Sequence, residues 1–451
     1  MPAADPRRDP VPAPGPAAPG DGPAAEPERN GRGQLVAWEL EVPTVTDTSV
    51  AFTWATYRRA LRVRYGTTRP TAPAGETVLM GDVSGGPMRV VHEDPTPRGY
   101  HHVVVEGLEP GRAYRFECRS GDAVARPSLR ITRRRGTPEA TGIVTTAPAL
   151  PGSPVGLIAL TNDVHIGKAF HGGSPLDRSR LRDAGAARGF AAMQLAGVLA
   201  GAAADGADLV VANGDLTNDG TAAQVAEFTR LMDSSGLDWA ATRGNHDNRG
   251  VGPAEDPMLP ACPPRQRPWV RRLGGLRLIG LDTSVPGFDG GHLDDAQLEE
   301  LRAELDADPE RPTIVFGHHP ATIDAARSSA GRAKFCMTEE QSLRLQAILA
   351  RAPGVAAVFS GHTHRTRRGV ADVGNIDHCE RGASLGYPGG YTLIRVSTGG
   401  YRVSFHRIPT RESLDWSART RWSLLGMEPE YMLGTLADRN YTVRAGFDGL
   451  G

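Results

Sequence analysis

Residues 155–165 read VGLIALTNDVH, an apolar run (Val155–Leu160) followed almost at once by Asn162, Asp163 and His165. A short apolar run that ends in ligand-capable side chains reads as a buried strand emerging at its carboxyl end. The pattern recurs at Leu209–Ala212, Trp239–Thr242, Leu276–Leu281, Thr313–Phe316, Val355–Phe359 and Tyr391–Val396. Between several of these runs lie helical patterns: Ala186–Ala204, Ala222–Met232 behind a Thr221 cap, Asp295–Leu305 and Glu339–Ala350. Strands alternating with helices imply an α/β layered domain, placed at residues 155–410.

Five motifs follow such strand ends in order: NDVH (Asn162–His165), NGD (Asn213–Asp215), RGNHD (Arg243–Asp247), GHHP (Gly317–Pro320) and GHTH (Gly361–His364). They hold six of the thirteen histidines, where α/β sheets collect ligands. Carboxylate, imidazole and amide oxygen together suit divalent ions, with one carboxylate spanning a pair of them. Asp163 and His165, two apart on an extended strand end, face one side and can reach one ion. His362 and His364 share that spacing, with room for each to serve a different ion. Asp215 follows a glycine that permits close backbone approach, and is the natural bridge. Arg243, just before GNHD, either forks onto phosphate oxygens or serves as a cap or surface residue. His171, His292 and His378 stand alone in loops, as substrate contacts or as solvated side chains.

These motifs resemble the calcineurin-like metallophosphoesterase family from Val155 to Pro409. The resemblance implies a four-layer α/β/β/α sandwich. It implies one site of Asp163, His165, Asp215 and His364, and a second of Asp215, Asn245, His318 and His362. The cofactors implied are two divalent metal ions, Mn, Fe or Zn. His319 matches the neighbour of a ligand. His246 corresponds to the histidine that approaches substrate, with Asp247 holding its ring. The activity implied is hydrolysis of a phosphate ester by metal-bound hydroxide, with His246 donating to the leaving oxygen. GDLTNDG (Gly214–Gly220) and LDTSVPGFDGGHLDDAQLEEL (Leu281–Leu301) look like the bacterial cyclic-nucleotide phosphodiesterase branch, implying a nucleotide-like diester. Two alternatives stand beside it. One is a phosphomonoesterase similar to purple acid phosphatases but with Asn218 where those carry a tyrosine ligand. The other is a non-catalytic adhesion or interaction protein.

Residues 34–148 carry short runs that alternate apolar and polar residues between Gly/Pro turns, an all-β sandwich pattern. Expected strands include Val36–Val42, Val50–Thr56, Leu61–Tyr65, His102–Glu106 and Tyr114–Cys118. Trp54 sits mid-strand, and GLEPGRAYRF (Gly107–Phe116) resembles the fibronectin type III turn whose tyrosine, here Tyr114, forms a corner. Residues 1–33, with nine Pro and five Gly, read as a disordered tail, and 411–451 as an appendage on the catalytic domain.

Formal net charge is −1 from 51 basic and 52 acidic residues, which argues against a nucleic-acid partner. The partner expected is a small phosphate ester, with oligomeric state left open. Four scattered cysteines exclude a Cys-based zinc site by spacing. No apolar stretch follows Arg7 and Arg8, and no run approaches a membrane span, so the expected location is cytoplasmic with no membrane partner.

Overall fold

The computed structural model describes residues 33–58, 71–128, 136–171, 189–249, 255–329, 335–421, 428–447 and 450. The tail expected at 1–33, apart from Gly33, and the strand expected at 61–65 lie outside them.

Two six-stranded sheets carry the α/β part. In the first, Pro154–Thr161 pairs in parallel with Leu209–Asn213, which pairs in parallel with Trp239–Thr242. On its other side Gly390–Ser397, Gly400–Arg407 and Tyr441–Arg444 follow in antiparallel order. In the second, Leu276–Leu281, Thr313–Gly317, Val355–Ser360 and Asp377–Glu380 run parallel between antiparallel edge strands Trp269–Leu273 and Arg367–Val370.

Alternation along a strand sends neighbouring side chains to opposite faces. Leu157 and Ala159 therefore pack with Leu195, Val198 and Phe228 of the helices Phe190–Ala204 and Ala222–Ser234. Ile158 and Leu160 pack against Leu278, Ile314, Phe316 and Phe359 of the second sheet. That sheet's outer residues Ile279, Val315 and Val358 meet Leu298, Leu301, Leu345 and Leu349 of the helices Asp295–Asp306 and Glu339–Leu349. The layers run helix, sheet, sheet, helix. Burial on both faces is why the strands read as unbroken apolar runs. Thr221, Asp294 and Thr338 cap their helices by accepting the backbone N–H three residues on. Among the described residues no helix is long and apolar enough to cross a membrane.

Within residues 35–145, the described strands form two antiparallel sheets around Phe52, Trp54, Val78, Val103 and Phe116. Trp54 is fully buried, and its Nε1–H donates to Ser120 Oγ at 2.9 Å. The Glu109 N–H donates to Tyr114 Oη at 2.9 Å. The hairpin Ala74–Asp82/Arg89–Arg98 was not legible, because its second strand is an exposed, polar edge that contains two prolines.

Of the segment 411–451, expected as an appendage on the catalytic domain, the described parts contribute to the fold itself. Tyr441–Arg444 is the edge strand of the first sheet, and Trp416 stacks on Phe190 with centroids 4.6 Å apart. Arg439 donates to Val42 O at 2.7 Å and Pro43 O at 3.0 Å. A four-residue strand carries too little period to be read from sequence.

Candidate metal centre

The five motifs converge where their strands end. Asp163 and His165 were expected to align by extended alternation, but both are left-handed, with φ of 53° and 54°. Their N–H groups donate to Gly214 O (3.1 Å) and Asp215 O (2.8 Å), so the first two motif turns are laced together. Asp215, His362 and His364 are also left-handed. Thus five of the seven non-glycine residues with positive φ among the described residues belong to the expected ligand set. Each such residue costs ~1–3 kcal/mol, and strain of this kind clusters where ligands are clamped. Gly214 is needed for space: a Cβ there would stand 2.2 Å from His318 Nδ1.

The donor atoms face one another. His364 Nε2 lies 3.3 Å from Asp163 Oδ1 and 3.5 Å from His165 Nε2. The two Asp215 oxygens diverge, Oδ2 at 3.6 Å from His165 Nε2 and Oδ1 at 3.3 Å from His318 Nε2. His362 Nδ1 is 3.0 Å from Asn245 Oδ1. Asp163, His165 and His364 make one compact group, and Asp163, Asp215 and His318 another. His318, His319 and His362 make a third, although both His319 nitrogens are engaged, by Thr283 Oγ1 and Asp289 O.

Three buried ring nitrogens of the cluster make no hydrogen bond, His318 Nε2, His362 Nε2 and His165 Nδ1, although His318 Nε2 faces Asp215 Oδ1. Buried polar atoms left bare are costly unless something else binds them. His318 Nδ1 is turned toward Asn213 O (3.1 Å), which frees Nε2 in the way metal-binding histidines are oriented. Burial pulls the His318 pKa down, but Asp215 and Asp163 outweigh it and push it up to about 9. Burial holds His165 and His362 well below the ordinary histidine value. The donor set and its bare nitrogens fit two divalent ions with mixed nitrogen and oxygen ligands.

Two expected roles need correction. Asp247 does not hold the His246 ring. Its carboxylate accepts the N–H groups of Leu216 (3.1 Å), Thr217 (2.8 Å) and Gly244 (2.9 Å) and the Thr217 hydroxyl (2.7 Å). It thus fastens the NGD turn to the GNHD turn. The His246 ring is held by Asn218 O, 2.8 Å from Nδ1, which leaves Nε2 4.0 Å from Asp215 Oδ2. Arg243 is not free to fork onto phosphate, because its side chain is buried. Its guanidinium binds Asp256 (2.6 and 2.9 Å) and Pro263 O (2.6 Å).

Sequence reading missed Arg249 and Lys168. Arg249 Nη1 lies 3.1 Å from His246 Nδ1, and Nη2 binds Asp289 Oδ1 at 2.6 Å, with the side chain 41% exposed. Its signal was spacing: it follows His246 by three residues, directly after the short 3-10 helix Asn245–Asn248. Lys168 is half-buried, and burial lowers its pKa while Asp215 and Asp163 oppose that. His171 and His378 are buried rather than solvated.

The family profile described as calcineurin-like phosphoesterase matches residues 156–366. A 3',5'-cyclic adenosine monophosphate phosphodiesterase of Pseudomonas aeruginosa is 37% identical over 120 residues, covering 26% of this chain and 41% of that protein. A probable cyclic nucleotide phosphodiesterase of Rhodococcus erythropolis is 34% identical over 184 residues, 39% of this chain and 58% of that one. A glycerophosphodiester phosphodiesterase of Enterobacter lignolyticus is 28% identical over 163 residues, 35% and 56% of the two chains. The chain thus spans between 41% and 58% of the length of these relatives. Residues 156–366 thus match the calcineurin-like phosphoesterase family model, and the five motif turns that meet at one donor cluster lie inside that matched segment.

Proposed function

We propose that this chain hydrolyses phosphate esters with two divalent ions, as a phosphodiesterase of small nucleotide-like substrates. The observation that supports it most is the divergence of the Asp215 oxygens toward His165 on one side and His318 on the other. Asp163, His165, Asp215 and His364 would hold one ion, and Asp215, Asn245, His318 and His362 the other. Such a pair, when bound, neutralises charge on the phosphoryl oxygens and supplies an activated water.

The chain's own residues do the rest. Asp247 keeps the turns carrying Asp215 and Asn245 at fixed separation. With Nδ1 held by Asn218 O, His246 turns Nε2 toward the cluster, where it would pass a proton to a leaving oxygen, a step worth ~10²–10⁴-fold, against the burial that lowers its pKa. Arg249, at the mouth beside His246, takes the place of Arg243 as the cation that meets the substrate phosphate. In this reading residues 155–410 carry the chemistry, and 34–148 are a fibronectin type III-like unit that contributes none. The names of two matched relatives favour a cyclic nucleotide over other diesters.

The test is elemental analysis of the purified chain, followed by turnover on a cyclic nucleotide, a glycerophosphodiester and a monoester. Two ions per chain and preference for the diesters are expected. Reproducible absence of metal, with no activation by added Mn²⁺, would overturn the reading.

A further inference from the structure

Phe335 lies with its ring centroid 4.4 Å from that of His362, tilted by 32°, yet remains 37% exposed. Phe288 is 52% exposed, and the next residue, Asp289, binds Asn245 Nδ2 at 3.1 Å and Arg249. The segments carrying the two rings are tied together, because the Gly291 N–H donates to Cys336 O at 3.3 Å. A single exposed phenylalanine needs no explanation. Phe335 differs from such a residue because its ring lies against an expected metal ligand, on a segment tied to the one that carries Asp289.

We propose that Phe335 is the stacking platform for the planar base of a nucleotide-like diester, standing where His362 sets it against the metal centre. The proposal rests on the phosphodiesterase reading above and adds what selects the substrate. An aromatic face gains from stacking on a base, whichever base it is, whereas a glycerol arm offers it no π-face. The phosphate end of the same molecule meets the donor cluster, and Arg249 stands beside His246 to receive its charge. The ring is therefore expected to favour the nucleotide over the glycerol diester, two classes that the metal centre alone would treat alike.

The test uses the full chain loaded with Mn²⁺, as wild type, Phe335→Leu and Phe335→Tyr. Equilibrium dialysis gives the affinities for adenosine 5'-monophosphate and for inorganic phosphate, with metal content measured on the same samples. Phe335→Leu is expected to weaken the nucleotide ~tenfold while phosphate and metal stay within about twofold, and Phe335→Tyr to restore nucleotide affinity. On turnover, the leucine variant should raise KM for a cyclic nucleotide with kcat kept, and leave glycerophosphoethanolamine unaffected. Unchanged nucleotide affinity in Phe335→Leu would overturn the platform. So would nucleotide and phosphate weakening together with loss of metal, since the ring would then only prop His362. If the wild type hydrolyses neither diester, the phosphodiesterase reading fails on its own, and the contrast between nucleotide and phosphate binding still decides the platform.

Discussion

Two regions of the molecule bury charge, and they do it in opposite ways. At the donor cluster, Asp163 and Asp215 face histidines whose buried nitrogens are left over, on a backbone held in left-handed turns. Where the N-terminal sheets meet the α/β part, one carboxylate is surrounded. Glu41 accepts from Arg407 Nη2 (2.6 Å), from Tyr387 Oη (2.6 Å) and from Arg421. Thr44 and Asp47 add contacts to Phe405 O (2.6 Å) and Arg402 (2.5 Å). The first region sets its carboxylates against histidines, and the second gives its carboxylate three side-chain donors. Bare nitrogens occur in both regions, Arg407 Nε and Arg421 Nε included, so what separates them is the carboxylate: at the cluster it faces imidazoles from several motif turns, and at the joint it is ringed by guanidiniums and a phenol.

The contrast breaks most visibly at Asp215. Asp215→Asn weakens both halves of the cluster at once. Turnover should fall by ~10³-fold or more, since metal ions supply several kcal/mol of transition-state stabilisation. Near wild-type kcat at saturating metal would remove Asp215 as the bridge.

At the joint the damage should be to stability. Glu41→Ala leaves two buried guanidiniums short of a carboxylate, which costs ~3–5 kcal/mol, read as a lower midpoint in urea. The joint also carries a pH signature. Burial alone would raise the Glu41 pKa, but Arg421 and Arg407 hold it below its ordinary value of 4.5. Its contribution is therefore present above that value and is lost as pH falls toward the lowered one. Glu41→Gln should flatten the loss of stability below pH ~4.5, and an unchanged acid slope would show that the carboxylate is not what holds the joint.

His246→Ala should lower turnover of an unactivated diester by ~10²-fold while sparing a nitrophenyl ester, with both metals retained. Equal loss on both substrates would assign His246 to phosphate binding instead. The smallest effect belongs to neither region: Thr221→Ala should cost ~1 kcal/mol through the lost helix cap, with turnover unchanged.

Sequence alone carried the strand ends and the chemistry displayed on them. Trp239–Thr242 and Leu276–Leu281 run as their apolar patterns read. Asp163, His165, Asp215, Asn245, His318, His362 and His364 are named through a family resemblance carried by short local motifs, and the structure brings their side chains to one cluster. Tertiary structure decided which polar group meets which. Arg243 finds Asp256 thirteen residues on, Asp247 binds backbone thirty residues back, and His246 is steered by the carbonyl of Asn218. Glu41 meets Arg421 from 380 residues away. A hydrogen bond depends on angle and distance at a few ångströms, and those are settled only when separate turns close on one another. Apolar burial has no such direction, which is why the fold was written in the sequence more plainly than the roles within the site.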